Sequence, residues 1–141
     1  IALSKKITSD DGKVFVLLSD GELNEGSNWE SLLFSAHNNL NNLVIIIDHN
    51  KIQSLDFVNK TMKLDPLKKK FSSFGCKVLE INGHNHKEIF NSLKSTSNKP
   101  LVVIANTIKG KGISFMENKV LWHYKSPNFD ELILGLKELK K

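Results

Sequence analysis

Twelve residues, "SDGELNEGSNWE" (19–30), gather four carboxylates and two glycines directly behind the apolar run "KVFVLL". Asp20, Glu22, Glu25 and Glu30 stand out in a chain whose formal net charge is +5. In a parallel sheet, ligands bind beyond the carboxyl ends of the strands, and "SDG" occupies such an end. Gly21 allows a sharp turn and a close approach of backbone to ligand. The following helix points its amide-rich start at the same place, which favours an anion such as phosphate. Asp20 has the wrong charge for that anion unless a metal lies between them. Magnesium takes hard oxygen ligands, commonly one or two carboxylates or other protein oxygens together with phosphate oxygens. A second protein oxygen is expected from a neighbouring strand end, and "IIIDHNKIQS" supplies Asn50 there, with residues 22–49 between it and Gly21.

The elements that position these residues are legible as apolar runs. "KVFVLL" (13–18), "NLVIIID" (42–48) and "PLVVIANT" (100–107) read as buried strands, with "CKVLEIN" (76–82) as a weaker fourth. Their apolar residues run continuously, as parallel strands covered on both faces require. Helices are expected between them. Residues 27–41 place Trp29, Leu32, Leu33, Ala36, His37 and Leu40 on one face, with His37 a core histidine. "DPLKKKFSSFG" (65–75) has an Asp cap, a first-turn Pro and a terminal Gly; 85–96 and 128–141 give two further helices. The fold class is α/β, an open, mainly parallel sheet flanked by helices, formed by a single domain over 1–141. The segments 51–64 and 108–127 read as long loops, and such loops are often functional.

Composition bounds the function. Lysines are scattered, and no arginine-rich or aromatic-basic motif accompanies them, which argues against a nucleic-acid module. No apolar run reaches the roughly 18 residues that span a membrane. The lone Cys76 excludes an internal disulfide framework, fits a cytoplasmic location and reads as a buried, inert thiol. The chain starts at Ile1 inside a helix-like stretch, so an upstream part of the domain is expected to be missing.

The Asp-Gly and spaced Asn resemble the thiamine diphosphate motif. The wider string "DGELNEGSNWE", together with "TIKGKGISFMEN", "WH" and a following Pro, resembles transketolase, especially the separate amino-terminal subunit of the split bacterial type. The resemblance covers essentially the whole chain. It implies that Asp20, Asn50 and the backbone carbonyl of Ile52 bind Mg²⁺, and that Gly21 gives its backbone to the diphosphate. It implies that Glu25 and Glu30 lie near the subunit interface joining two cofactor sites, and that His123 lies near diphosphate and substrate; with these positions counted as catalytic, Glu22 is left to cap the turn. The implied activity is transfer of a two-carbon ketol unit from a ketose to an aldose. The implied partner is a carboxy-terminal subunit that supplies the pyrimidine-binding domain, in a dimer or heterotetramer acting on phosphorylated sugars.

Three departures from that pattern bear on specificity. Ser19 replaces the usual first glycine, with its backbone amide still on offer. "WHYKSP" keeps His123 but puts Tyr124 and Ser126 where small residues are usual, which points to a different sugar. The resemblance implies an upstream segment with a glycine-rich loop and a further histidine, and that segment is expected to be missing here. Alternatives stay open: another thiamine diphosphate enzyme of the deoxyxylulose phosphate synthase or dehydrogenase E1 type, or an inactive truncated remnant. Bland readings also stand: Glu25 and Glu30 as first-turn acids, His49 as a packing residue, His84 and His86 as surface residues, and Lys109 and Lys111 as either a solvated loop or a lid over phosphates.

Overall fold

The structure is a computed structural model and describes residues 1–140. Four strands, β1 (Val14–Ser19), β2 (Leu43–His49), β3 (Lys77–Asn82) and β4 (Leu101–Asn106), form one wholly parallel sheet in the order β1-β2-β4-β3. Parallel neighbours need crossovers, and helices supply them. After α1 (Ala2–Ile7) and β1, α2 (Gly26–His37) returns the chain to β2. The short α3 (Val58–Thr61) and α4 (Leu67–Ser73) lead to β3, α5 (His86–Lys94) leads to β4, and α6 (Phe129–Leu139) ends the fold.

The chain moves outward from β1 to β3 and then steps back to insert β4. A right-handed crossover taken in the reverse direction must lie on the other side of the sheet. Accordingly Leu32 of α2 and Leu67 and Phe71 of α4 cover one face with Ile45, Ile47, Val102 and Ile104, while Leu93 of α5 packs on the opposite face against Val44, Leu101 and Val103. Trp29 stacks on Phe71 with ring centroids 5.3 Å apart, tying α2 to α4. Register brings the strand ends level: Ser19 pairs with Asp48, His49 with Asn106, and Asn82 with Asn106. The segments that leave the strands at Asp20, Asn50, Gly83 and Thr107 therefore emerge along one edge.

Four expectations are corrected. The continuous apolar pattern of β1 does not mean cover on both faces: Phe15 is 52% and Leu17 69% exposed, because β1 is an edge strand and α5 packs on β3 and β4. In α2 the covered face is Trp29, Leu32, Ser35 and Leu40 just beyond it; Leu33 and His37 point outward, so His37 is not a core histidine. Neighbouring positions differ by about 100° around a helix, which carries 33 and 37 off the centre of the stripe. Asp65 does not cap α4; it precedes a cis bond to Pro66, and Pro66 takes the cap position. Finally, 51–64 is more than a loop, since Ile52 and Phe57 form an antiparallel bridge and α3 follows, with Ile52, Val58 and Leu64 buried.

Phe71 is fully buried where α2, α4 and the sheet meet, whereas Phe15 is half in water. Phe71→Ala is expected to cost about 3–5 kcal/mol of stability, and Phe15→Ala under about 1 kcal/mol. Urea unfolding midpoints of the two variants against the parent chain check the contrast.

Candidate functional site

β1 hands the chain to a 3₁₀ turn, Gly21–Asn24, and only then to α2. Glu22 holds this corner. Its Oε2 accepts the Ser19 amide at 2.7 Å and the Ser19 hydroxyl at 3.0 Å, and the Glu22 amide donates back to Ser19 Oγ at 3.3 Å. These bonds hold the Glu22 carboxyl below its ordinary value. Glu22 is thus the turn cap expected of it, and the Ser19 amide is already engaged by that cap rather than on offer to an anion. Gly21 does not adopt a left-handed conformation, and a Cβ there would sit 3.6 Å from Gln53 Cγ, an ordinary contact. Its own chain therefore does not demand a glycine for a sharp turn.

Asp20 lies at the centre. Its side chain is 1% exposed, and among the described residues no lysine forms an ion pair with it. One carboxylate oxygen accepts the Lys51 amide at 2.6 Å. Burial raises the Asp20 pKa above the ordinary 3.8, with Asp48 adding to the rise; the bonds from the Lys51 and Gly21 amides and the nearby His49 oppose it. A buried carboxylate with a raised pKa and no lysine paired with it is an under-compensated negative charge, which a bound cation would relieve.

The partner segment after β2 is shaped to meet Asp20. Lys51 sits in the left-handed region at φ 67°, a strained choice for a lysine, and that conformation presents its amide to the carboxylate. Asn50 Oδ1 accepts the Ile52 amide at 3.0 Å and keeps a second lone pair, while among the described residues nothing donates to the Ile52 carbonyl. Asp20, Asn50 and the Ile52 carbonyl, expected together from the motif, are brought onto two adjacent, hydrogen-bonded strand ends. Among the described residues no group of three or more His, Cys, Asp and Glu forms a metal cluster. A set of one carboxylate, one amide oxygen and one backbone carbonyl is instead the hard, oxygen-only type that suits magnesium completed by ligand oxygens.

Sequence reasoning missed Gln53. It is 8% exposed, its Oε1 accepts Asn24 Nδ2 at 3.1 Å, and its Nε2 is buried without a partner. An unsatisfied buried donor in a folded protein calls for a missing acceptor, and this one stands beside Gly21. An anionic group at Gly21 would supply the acceptor. Only Gln53's place three residues after Asn50 could have drawn attention to it.

The other expected residues lie apart. Glu25 is exposed at the N-cap just before α2, so it is not a first-turn acid, and Glu30 is exposed within the helix, with Leu33 and Phe34 exposed one turn on. His123 ends the 3₁₀ turn Val120–His123, exposed, with its ring 5.2 Å from that of Tyr124. Among the described residues no hydrogen bond, ion pair or ring contact links it to Asp20, Asn50 or Ile52. His49 is buried, and its Nδ1 donates to Asn106 Oδ1 at 3.2 Å, a packing role. Cys76 is buried and its thiol is pushed up to about 11, chiefly by burial, consistent with an inert residue. Lys111 pairs with Glu117 at 3.5 Å.

Residues 4–134 match the family described as transketolase, thiamine diphosphate binding domain. The chain is 46% identical over 142 residues to an apulose-4-phosphate transketolase subunit of Actinobacillus succinogenes, covering 99% of this chain and 51% of that protein. It is 35% identical over 126 residues to 6-deoxy-6-sulfo-D-fructose transketolase subunit SqwG of a Clostridium species, covering 87% and 46%. A transketolase crystal structure from Campylobacter jejuni superposes with a TM-score of 0.89 at 26% identity, covering 99% of this chain and 23% of that one. The chain spans about half the length of these two curated relatives.

The raised pKa of Asp20 makes a testable link to stability. The folded chain holds the Asp20 proton to higher pH than the unfolded chain, so this residue's contribution falls as pH rises above 3.8 through the folded value. In the metal-free protein at pH 7, Asp20→Asn is expected to raise the urea midpoint, and the difference from the parent should shrink at pH 4. Midpoints for both proteins at the two pH values test this.

Proposed function

The chain belongs to the transketolase family through its thiamine diphosphate-binding domain, and from that premise we propose that it is the diphosphate- and magnesium-binding half of a two-component transketolase-like enzyme. The reaction is transfer of a two-carbon ketol unit from a ketose to an aldose. The observation that carries this reading is the buried, cation-deficient Asp20 clasped by the Lys51 amide beside the unsatisfied Gln53 donor.

Asp20, Asn50 and the Ile52 carbonyl would hold Mg²⁺. The Gly21 backbone and Gln53 Nε2 would bind diphosphate oxygens. Thiamine diphosphate, when bound, supplies the carbanion chemistry; the chain would fix its charged end. His123 would hold or deliver a proton at its imidazole on the substrate side, with Tyr124 shaping the space for the sugar. Both relatives' names specify sugars carrying an anionic group, which supports a phosphorylated or otherwise acidic sugar here.

Glu25, Glu30, Leu33 and Phe34 would meet a partner, as an exposed helix face mixing acids with large apolar groups does. The partner is a carboxy-terminal subunit with the pyrimidine-binding domain, assembled as a dimer or heterotetramer in the cytoplasm. No helix among the described residues is long and apolar enough to cross a membrane.

Calorimetric titration of thiamine diphosphate into the chain co-purified with its partner subunit tests the site. Saturable binding is expected with Mg²⁺, and its loss in EDTA and in Asp20→Ala. Gln53→Leu should weaken binding roughly tenfold, the usual worth of one hydrogen bond to a charged group. Absent or metal-independent binding would overturn the reading.

A further inference from the structure

His84 sits in the turn between β3 and α5, and that turn is bound to the end of β4 at several points. The Gly83 amide donates to the Asn106 carbonyl at 2.8 Å, and a Cβ on Gly83 would come within 2.4 Å of Thr107 Cγ2. The turn itself is rigid. Asn82 Oδ1 accepts the His84 amide at 2.9 Å, Glu88 Oε2 accepts the Asn82 amide at 2.8 Å, and Asn85 caps α5. From this fixed base His84 Nε2 accepts the Ile108 amide at 2.7 Å.

Ile108 is the first residue past the hydrogen-bonded end of β4, where Thr107 still donates its amide to the His49 carbonyl and its hydroxyl to Asp48. Beyond it runs the loop carrying Lys109 and Lys111. The loop closes on itself through Asn118, whose amide donates to the Lys109 carbonyl at 3.0 Å, and Gly110 is left-handed and pressed against the Met116 backbone. Trp122 Nε1 then donates to the Phe115 carbonyl, tying the loop to the turn that ends at His123. The loop is also tied to α6, where the Ser114 amide and hydroxyl donate to the Glu138 carboxylate, and the bond to His84 is the side-chain anchor at its root. His84, Lys51, Asn82, Asn106 and Lys111 also line a cleft of about 670 Å³ along the strand ends.

We propose that His84 is a positioning residue: a neutral imidazole, protonated on Nδ1, whose Nε2 accepts the Ile108 amide and fixes how the Lys109–Lys111 loop, and His123 beyond it, leave the sheet. An amide can only donate, so Nε2 must keep its lone pair and the remaining proton belongs on Nδ1. A doubly protonated imidazole has no acceptor and could not form this bond. The charged groups around His84 are Glu117 from the loop, Glu88 from α5, Glu80 from β3, and Lys51 and Lys111. The consequence for His123 rests on the functional reading above; the anchor does not.

The test therefore uses the full chain and needs neither cofactor nor turnover. Long-range ¹H–¹⁵N correlation on ¹⁵N-histidine-labelled protein at pH 8 should show His84 with a proton on Nδ1 and an acceptor Nε2. Amide exchange should be roughly fivefold faster at Ile108 in His84→Leu than in the parent at pH 8, as expected for loss of one hydrogen bond. Exchange at Val102–Ile104 should stay unchanged. His84→Gln, whose side-chain oxygen can accept, should restore part of the protection. A proton on Nε2 in the parent, or equal Ile108 exchange in parent and His84→Leu at pH 8, would overturn the proposal. If His84→Leu does not fold, the tautomer of the parent and the Ile108 exchange of His84→Gln decide.

Discussion

The hydrogen bond from the Lys51 amide to the Asp20 carboxylate is the constraint on which the rest depends. It joins the ends of two neighbouring strands, and it exists only because Ser19 pairs with Asp48 in the register of β1 and β2. A slip of that register by one residue would turn every side chain in β1 to the other face, sending Val14, Val16 and Leu18 off the core cluster. Core packing and site geometry are therefore specified by the same pairing. The bond is also incomplete compensation. One amide dipole does not neutralise a buried carboxylate, and the left-handed Lys51 and the unsatisfied Gln53 amide add further cost at the same spot. Three unfavourable features at two adjacent strand ends are the pattern of a site that gives up stability for binding.

Around this point the fold divides its work. The face covered by α2 and α4 holds the larger apolar cluster and keeps the strand ends level; the other face is covered by α5 over β3 and β4. Over β1 the large apolar side chains Phe15 and Leu17 are exposed, as are Leu33 and Phe34 on α2. The strand-end edge holds the candidate metal ligands near its β1–β2 side and the His84 anchor at its β3–β4 side. The short, hydrogen-bonded links between those ends, Asp48 to Thr107 and His49 to Asn106, make that edge one polar seam rather than a set of separate loops.

Much of this was legible because it follows from simple periodicities. Four apolar runs at strand length announced four strands, and their alternation with helical stretches implied parallel pairing. The Asp-Gly pair and the spaced Asn pointed to the candidate site because strand ends are where a parallel sheet exposes backbone polar groups. What escaped has physical reasons. Burial of β1 on both faces could not be judged from its own residues, since an apolar strand reads the same at an edge as in the middle. His37 looked like a core residue because its spacing from Leu33 and Leu40 is helical, yet α2 is centred on Leu32 and Ser35. Gln53 is a polar residue in a segment without periodicity, and only the fold buries its amide nitrogen without a partner among the described residues.

His84 is the sharpest case of the same limit. An isolated histidine in a turn after a strand, followed by Asn85 and His86, carries every sign of a solvated surface residue, and its side chain is indeed exposed. Its bond to Ile108 spans 24 positions in sequence and depends on β4 lying beside β3. Had the strands been laid down in chain order, the turn after β3 and the segment after β4 would still be neighbours, but Asn106 could not also meet His49 on its other side. Insertion gives the end of β4 contacts from both flanks, so the loop beyond it starts from a point held by Asp48 and His49 on one side and by Gly83 and His84 on the other. A loop rooted in that way can carry lysines to a defined place without secondary structure of its own, because its first residue has almost no freedom left to lose on binding.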